Sequence, residues 1–203
     1  MKNSQQITQY LEEVAHVLID LHVQTPFHML IAGGAYMILH KKRKFTEDID
    51  FAIVEQPQRP PKNNKVFRVT LTTTEVFRSR STIPFSAEFK QAVLTIAERH
   101  PGLAKDWLND EAAEYYYDDA PQPDVTFWRS FGEMLYVYLP TPEYMFATKI
   151  AAYRPKDEND IKALIKDLNI KNRTQAKAII DRFLLPQAQG FWEVEENLDT
   201  LFP

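Results

Sequence analysis

Cysteine is absent from all 203 residues, so disulfides and thiolate metal sites are excluded. No apolar run approaches the roughly 20 residues that a membrane-spanning helix needs. The opening residues, Met1-Lys2-Asn3-Ser4-Gln5-Gln6, lack the apolar core of a signal peptide, and cytoplasmic residence without a membrane partner is the expectation. Low-complexity tracts and internal repeats are missing. The five histidines, at 16, 22, 28, 40 and 100, show no His-x-x-x-His spacing and read as structural or surface groups. A basic excess is lacking too, for the net charge is -4. Residues 1–100 carry 13 Lys+Arg against 10 Asp+Glu, and residues 101–203 carry 11 against 18. That division leaves no domain-wide nucleic-acid footprint. Around Lys41, Lys42, Arg43 and Lys44, and along Lys62, Lys65, Arg68, Arg78 and Arg80, a local footprint stays open beside the plainer reading, a solvated face balancing acidic neighbours.

What is present is an α/β pattern followed by helices. Ile7, Leu11, Val14, Leu18 and Leu21 follow helical spacing and predict a helix over 5–22, with Ser4 as its cap. A short apolar strand over 28–32 runs into Gly33-Gly34, which turns the chain into a helix over 35–40. A second strand covers 48–54, and the proline-rich 56–64 stretch reads as a loop. Strand or hairpin character is expected over 66–77, and a helix over 86–99 capped by Ser86. Residues 106–119 are acidic and aromatic and read as a surface excursion used for packing or a protein contact. The last strand predicted is 135–139. Thr141-Pro142-Glu143 then opens a helix that ends near Arg154-Pro155. Further helices are expected over 158–168, capped by Asp157, and 175–185, capped by Thr174 and stopped by Pro186. The division is an α/β core over 1–140, with a small mixed sheet flanked by helices, and a helical part over 141–203 packed on it.

The chemistry concentrates between Ile31 and Ile53. Asp48 and Asp50 sit at i and i+2 of a strand, so both carboxylates leave one face while Ile49 and Phe51 turn inward. Paired oxygen ligands suit Mg²⁺ or Mn²⁺, and Mg²⁺ is held by one or two carboxylates together with substrate phosphates. A glycine pair lets backbone amides approach a phosphate with no Cβ in the way. Taken singly, each feature has a plainer explanation: a tight turn, an exposed strand face, a lysine at the core edge for Lys149, a helix-end acid for Asp160.

Gly33-Gly34 followed by Arg43, Thr46 and Asp48-Ile49-Asp50 resembles the signature of the polymerase-β-type nucleotidyltransferase superfamily. The run from Tyr144 to Leu164, with Lys149, Arg154, Asp157 and Asp160, is similar to a second block of the AbiEii-type toxin nucleotidyltransferases and related bacterial proteins. The resemblance implies a nucleotidyltransferase fold, with Asp48 and Asp50 as metal ligands and Gly33-Gly34 as the phosphate-facing turn. Lys149 would contact the phosphate tail, and Asp160 would act as general base or as orienter of Lys149. Arg43 and Thr46 would support the loop before the strand. Such enzymes commonly add a third carboxylate. The predicted strand 135–139 has none, and Glu75 is the choice ahead of Asp124 and Glu133.

The implied activity is Mg²⁺-dependent transfer of a nucleotide from a nucleoside triphosphate (NTP) to an RNA such as transfer RNA, a protein or a small molecule. A toxin–antitoxin or phage-defence setting, with a cognate antitoxin as partner, is part of the same implication. The alternative is a catalytically silent nucleotide-binding or partner-binding member of the fold.

Overall fold

A computed structural model describes residues 2–57, 65–71, 87–110 and 122–203. Glu75, Ser86 and most of the acidic-aromatic stretch lie outside these residues. The described residues form a mixed α/β structure of one six-stranded mixed sheet and eight helices.

Helix α1 (Ser4–Asp20) is capped one residue earlier than the sequence suggests. Asn3 Oδ1 accepts from the Gln6 amide at 3.0 Å, and Gln6 Oε1 accepts from the Asn3 amide at 3.1 Å. This reciprocal box satisfies two of the amides that a helix start leaves orphaned. Its apolar stripe, with Ile7, Leu11, Val14 and Leu18 fully buried, covers the sheet and α3 (Ala87–Arg99). Burying each such side chain contributes roughly 1.5–3 kcal/mol.

The sheet order is β3 (Phe67–Arg68), β5 (Asp124–Phe131), β6 (Leu135–Pro140), β1 (Phe27–Ile31), β2 (Ile49–Ile53), β4 (Leu108–Asn109). β1 runs antiparallel to β2 and parallel to β6. Between β1 and β2 lies the short helix α2 (Gly33–Leu39). Ile31 opposes Phe51, and the Ala32 amide donates to the Asp50 carbonyl at 2.9 Å. This register brings the end of β1, with its glycine pair, beside the start of β2, with its aspartates.

Two strands escaped the sequence reading. β5 forms a hairpin with β6 through Gly132 and Glu133, both at positive φ (52° and 55°), with the Met134 amide donating to the Phe131 carbonyl at 3.0 Å. Two central residues at positive φ match the twist of a hairpin, yet Gly-Glu is not the Asn-Gly or Asp-Gly pair that announces one. β4 is a two-residue strand beside Trp107. That indole is fully buried, donates from Nε1 to the Val93 carbonyl at 3.1 Å and meets Tyr10 edge-on. Trp107 is therefore core rather than surface.

The C-terminal helices are α4 (Pro142–Ala152), α5 (Glu158–Asp167), α6 (Arg173–Ile180), α7 (Pro186–Phe191) and α8 (Val194–Leu201). Thr141 caps α4 with Pro142 at its first turn, and Tyr153 ends it in the left-handed region at φ 33°. The expected helix over 175–185 is shorter and starts earlier, with Asn172, not Thr174, as cap. Pro186 does not stop α6, which already ends at Ile180; it opens α7, where a first-turn proline sacrifices no hydrogen bond. Core residues of both chain halves, from Phe51 and Tyr138 to Phe146 and Leu198, belong to one apolar cluster. No described helix is long and apolar enough to cross a membrane.

Candidate functional site

Asp48 and Asp50 are half-buried, while Ile49 and Phe51 between and after them are fully buried. Both aspartates line a cleft of about 240 Å³ together with Gly34, Arg43, Thr46, Arg154 and Lys156. The glycine pair is built into it closely. Gly33 stands at φ 58°, and a Cβ there would lie 1.9 Å from Asp50 Oδ2. A Cβ on Gly34 would lie 2.4 Å from Thr46 Oγ1 and 3.2 Å from Arg43 Nη1. Any side chain at either position would displace the aspartate or its supports.

The loop from Lys41 to Glu47 is fastened on two sides. On one, the Lys2 and Thr46 backbones exchange hydrogen bonds at 2.6 and 3.0 Å, and the Lys2 ammonium donates to the Glu47 carbonyl. Lys2 is buried, and burial pulls its pKa below the ordinary lysine value against the charges of Asp48, Asp106 and Glu47. On the other, Lys42 pairs with Asp167 at 2.6 Å and Arg43 with Asp160 at 3.3 Å, both on α5. Thr46 Oγ1 donates to Asp48 Oδ1 at 3.4 Å. Arg43 thus ties this loop to α5, and Thr46 ties it to Asp48.

Lys149 occupies a different place. Its side chain is 3% exposed, and its ammonium lies 2.6 Å from Asp157 Oδ1 and 2.9 Å from Asp160 Oδ2. It is not among the described residues that line the cleft. Asp157 stands at the helix N-cap position, but its carboxylate makes no capping bond and instead takes Lys149 and, at 2.8 Å, Arg154 Nε. Burial alone would raise the Asp157 pKa; the charge and hydrogen bond of Lys149, with those of Arg154, outweigh it and leave the carboxyl below its usual value.

Of the three substitutes for a third carboxylate, Glu133 lies in the β5–β6 turn, beside the Phe27 end of β1 and away from Gly33. Asp124 lies on β5, separated from β2 by the two strands β6 and β1, and accepts from Arg68 Nε at 3.0 Å. Glu75 lies outside the described residues. Among those residues no group of three or more His, Cys, Asp or Glu could hold a metal. The donor set still fits Mg²⁺ in its usual protein mode, in which one or two carboxylates act beside substrate oxygens rather than as a closed cage. Asp48 and Asp50 are the two carboxylates that fit.

Lys2 and Lys156 were missed by the sequence reading. Lys2 gives no signal because its role depends on a bridge spanning more than 40 residues; Lys156 stands beside the Asp157 and Arg154 that the second block already contains. The chain matches no protein-family model, no curated protein and no solved structure.

Proposed function

We propose that this protein is a Mg²⁺-dependent nucleotidyltransferase, its mixed sheet and helices forming a nucleotidyltransferase-type fold. The observation that carries the reading is the fit of Gly33 against Asp50, where the carboxylate fills the space a Cβ would take. The glycine turn and the carboxylates of Asp48 and Asp50 are thereby held against one another beside one cleft. Mg²⁺, when bound, would neutralise phosphate charge and polarise the reacting phosphoryl group. Asp48 and Asp50 would hold it, and Thr46 would fix the orientation of Asp48. Gly33 and Gly34, having no Cβ, let the Asp50 carboxylate and the Thr46 hydroxyl pack against the turn.

In the transfer, the acceptor oxygen bonds to the α-phosphorus while the bond to the bridging oxygen breaks. Pyrophosphate leaves, and the acceptor's proton goes to water in the cleft. Positioning and charge stabilisation supply the rate, so no nucleophilic side chain is required. The acceptor classes are an RNA such as transfer RNA, a protein hydroxyl or a small molecule; the sequence resemblance favours a toxin with a cognate antitoxin.

A second reading, a silent nucleotide-binding module, is favoured by the lack of a three-carboxylate cluster among the described residues. The deciding experiment incubates the purified protein with each α-labelled NTP, Mg²⁺ or Mn²⁺ and total RNA, beside the Asp48→Ala/Asp50→Ala variant. Label entering RNA or protein, and absent with the variant, supports transfer and identifies donor and acceptor class. Mg²⁺-dependent NTP binding without transfer supports the silent module.

A further inference from the structure

We infer that Lys2 is a positioning residue for the cleft, holding Thr46, Glu47 and Asp48 in the arrangement in which Asp48 takes a divalent cation, a role that rests on the Mg²⁺ reading above. Lys2 is itself firmly held. Asn3, the next residue, closes the capping box of α1, whose apolar stripe is buried in the core. From that base Lys2 forms an antiparallel bridge with Thr46, the two backbones exchanging hydrogen bonds at 2.6 and 3.0 Å. Its ammonium donates to the Glu47 carbonyl, so the two residues that precede Asp48 are both tied to it. Thr46 is buried, with Oγ1 2.4 Å from where a Gly34 Cβ would stand and 3.4 Å from Asp48 Oδ1. Lys2 thus acts on Asp48 through Thr46 and Glu47, and it is not among the described residues that line the cleft.

The backbone bridge alone would fasten the loop; the buried ammonium adds a charge. Lys2 is 3% exposed, and its hydrogen-bond partner is a carbonyl rather than a carboxylate. Burial disfavours its charged form, and the charge of Asp48, ahead of those of Asp106 and Glu47, favours it. That charge has two opposite effects on a metal at Asp48. As a cation near the carboxylate, Lys2 repels a second cation. As the tether of Glu47 and Thr46, it presets the ligand, and partners that orient a metal ligand are worth about 10- to 100-fold in affinity. Glu47 and Lys156 at the cleft are exposed, so water and salt screen the repulsion, and the four carboxylates of Glu47, Asp48, Asp50 and Asp157 along it offset it. The positioning effect therefore prevails, and the two effects differ in sign.

The test uses Mn²⁺ alone as probe, its binding to the full chain read from loss of the free-ion electron paramagnetic resonance signal. Asp48→Asn should remove the binding and so defines the site. Lys2→Met, similar in length but uncharged, should weaken binding about 10-fold. Lys2→Arg, which keeps the charge and a donor, should restore it to within a few-fold of wild type. Circular dichroism checks that each variant folds, and Lys2→Gln, a shorter neutral side chain, is read in the same way if Lys2→Met does not fold. Binding that still needs Asp48 but is unchanged or tighter in the folded neutral variant overturns the inference and leaves the Mg²⁺ reading intact. A folded Lys2→Arg as weak as Lys2→Met overturns it too, as does failure of both neutral variants to fold, which would assign Lys2 to stability alone. Wild-type binding no tighter than that of Asp48→Asn also overturns it, and the transferase reading then stands or falls on the label-transfer experiment.

Discussion

Two pairs of aspartates, each pair close in sequence, meet different partners, although Asp157 lines the same cleft as Asp48 and Asp50. Asp157 and Asp160 straddle the start of α5, are 2% and 6% exposed at their side chains, and share the buried ammonium of Lys149. Asp48 and Asp50 stand at the start of β2, half-buried along a cleft, with Asp48 met by the neutral hydroxyl of Thr46. The first pair is engaged in ion pairs with Lys149, Arg154 and Arg43. The second lines the cleft, where on the proposed reading it would hold Mg²⁺ beside a substrate phosphate. Environment, not residue type, separates the two roles.

The largest expected effect tests the cleft pair. Asp50→Asn should lower transfer at least about 10³-fold, the upper range for losing one electrostatic stabiliser, with the thermal midpoint unchanged. A folded variant transferring at the wild-type rate would erase the distinction. The buried pair should respond in the opposite sense. Lys149→Met leaves two buried carboxylates without their shared cation and should reduce unfolding free energy by about 3–5 kcal/mol, read from urea titration. Surface charges provide the contrast: Arg173 bonds Asp199 at 2.6 Å and also Glu195, but in open solvent, and Arg173→Gln should leave the urea midpoint in place.

Gly33→Ala comes next. The left-handed φ and the collision with Asp50 should cost about 1–3 kcal/mol, with activity falling much further than stability. An alanine variant of full activity would show that the turn does not fix the carboxylate.

Acid sharpens the comparison further. Asp157 is held below the ordinary carboxyl value, so its stabilisation is complete above that value and is lost as pH falls through the lowered native one. The wild-type melting temperature should therefore drop on acidification below the usual carboxylate range, and more steeply than that of Asp157→Asn. Equal slopes would remove Asp157 from the account.

The smallest effect concerns His28, which is 7% exposed, bonds Tyr138 Oη through Nδ1 at 2.8 Å and is shifted below the ordinary histidine value by burial. The unfolded chain then takes up the proton first, so stability declines as pH falls from about 6.5 toward the lowered native value. His28→Phe should flatten that part of the melting profile, and an unchanged profile would assign the titration elsewhere.

Much of the frame was legible in the residues. The i and i+2 aspartates flanking Ile49 announced a strand with a polar face, and α1 and α4 announced themselves by apolar spacing and by Thr141-Pro142. β5 was not legible, because its inward and outward residues do not alternate cleanly and its turn uses Glu133 at positive φ. α7 was hidden by reading Pro186 as a stop when the same ring suits a helix start. The depth of Lys149 was hidden also, since a lysine among apolar neighbours fits either a core-edge side chain or a buried ion.

By itself, then, the sequence determined the local chemistry: a glycine pair, two carboxylates on one strand face, and a lysine, arginine and aspartate cluster within a dozen residues. Those features follow from side-chain period and backbone freedom, which act over a few residues. Tertiary structure decided which charges face the cleft. The β1–β2 register set Asp50 against Gly33, and the docking of α5 on the loop before β2 joined Arg43 to Asp160 across more than 100 residues. Whether a charge faces a neighbour or the solvent depends on what folds over it, and no local pattern carries that information.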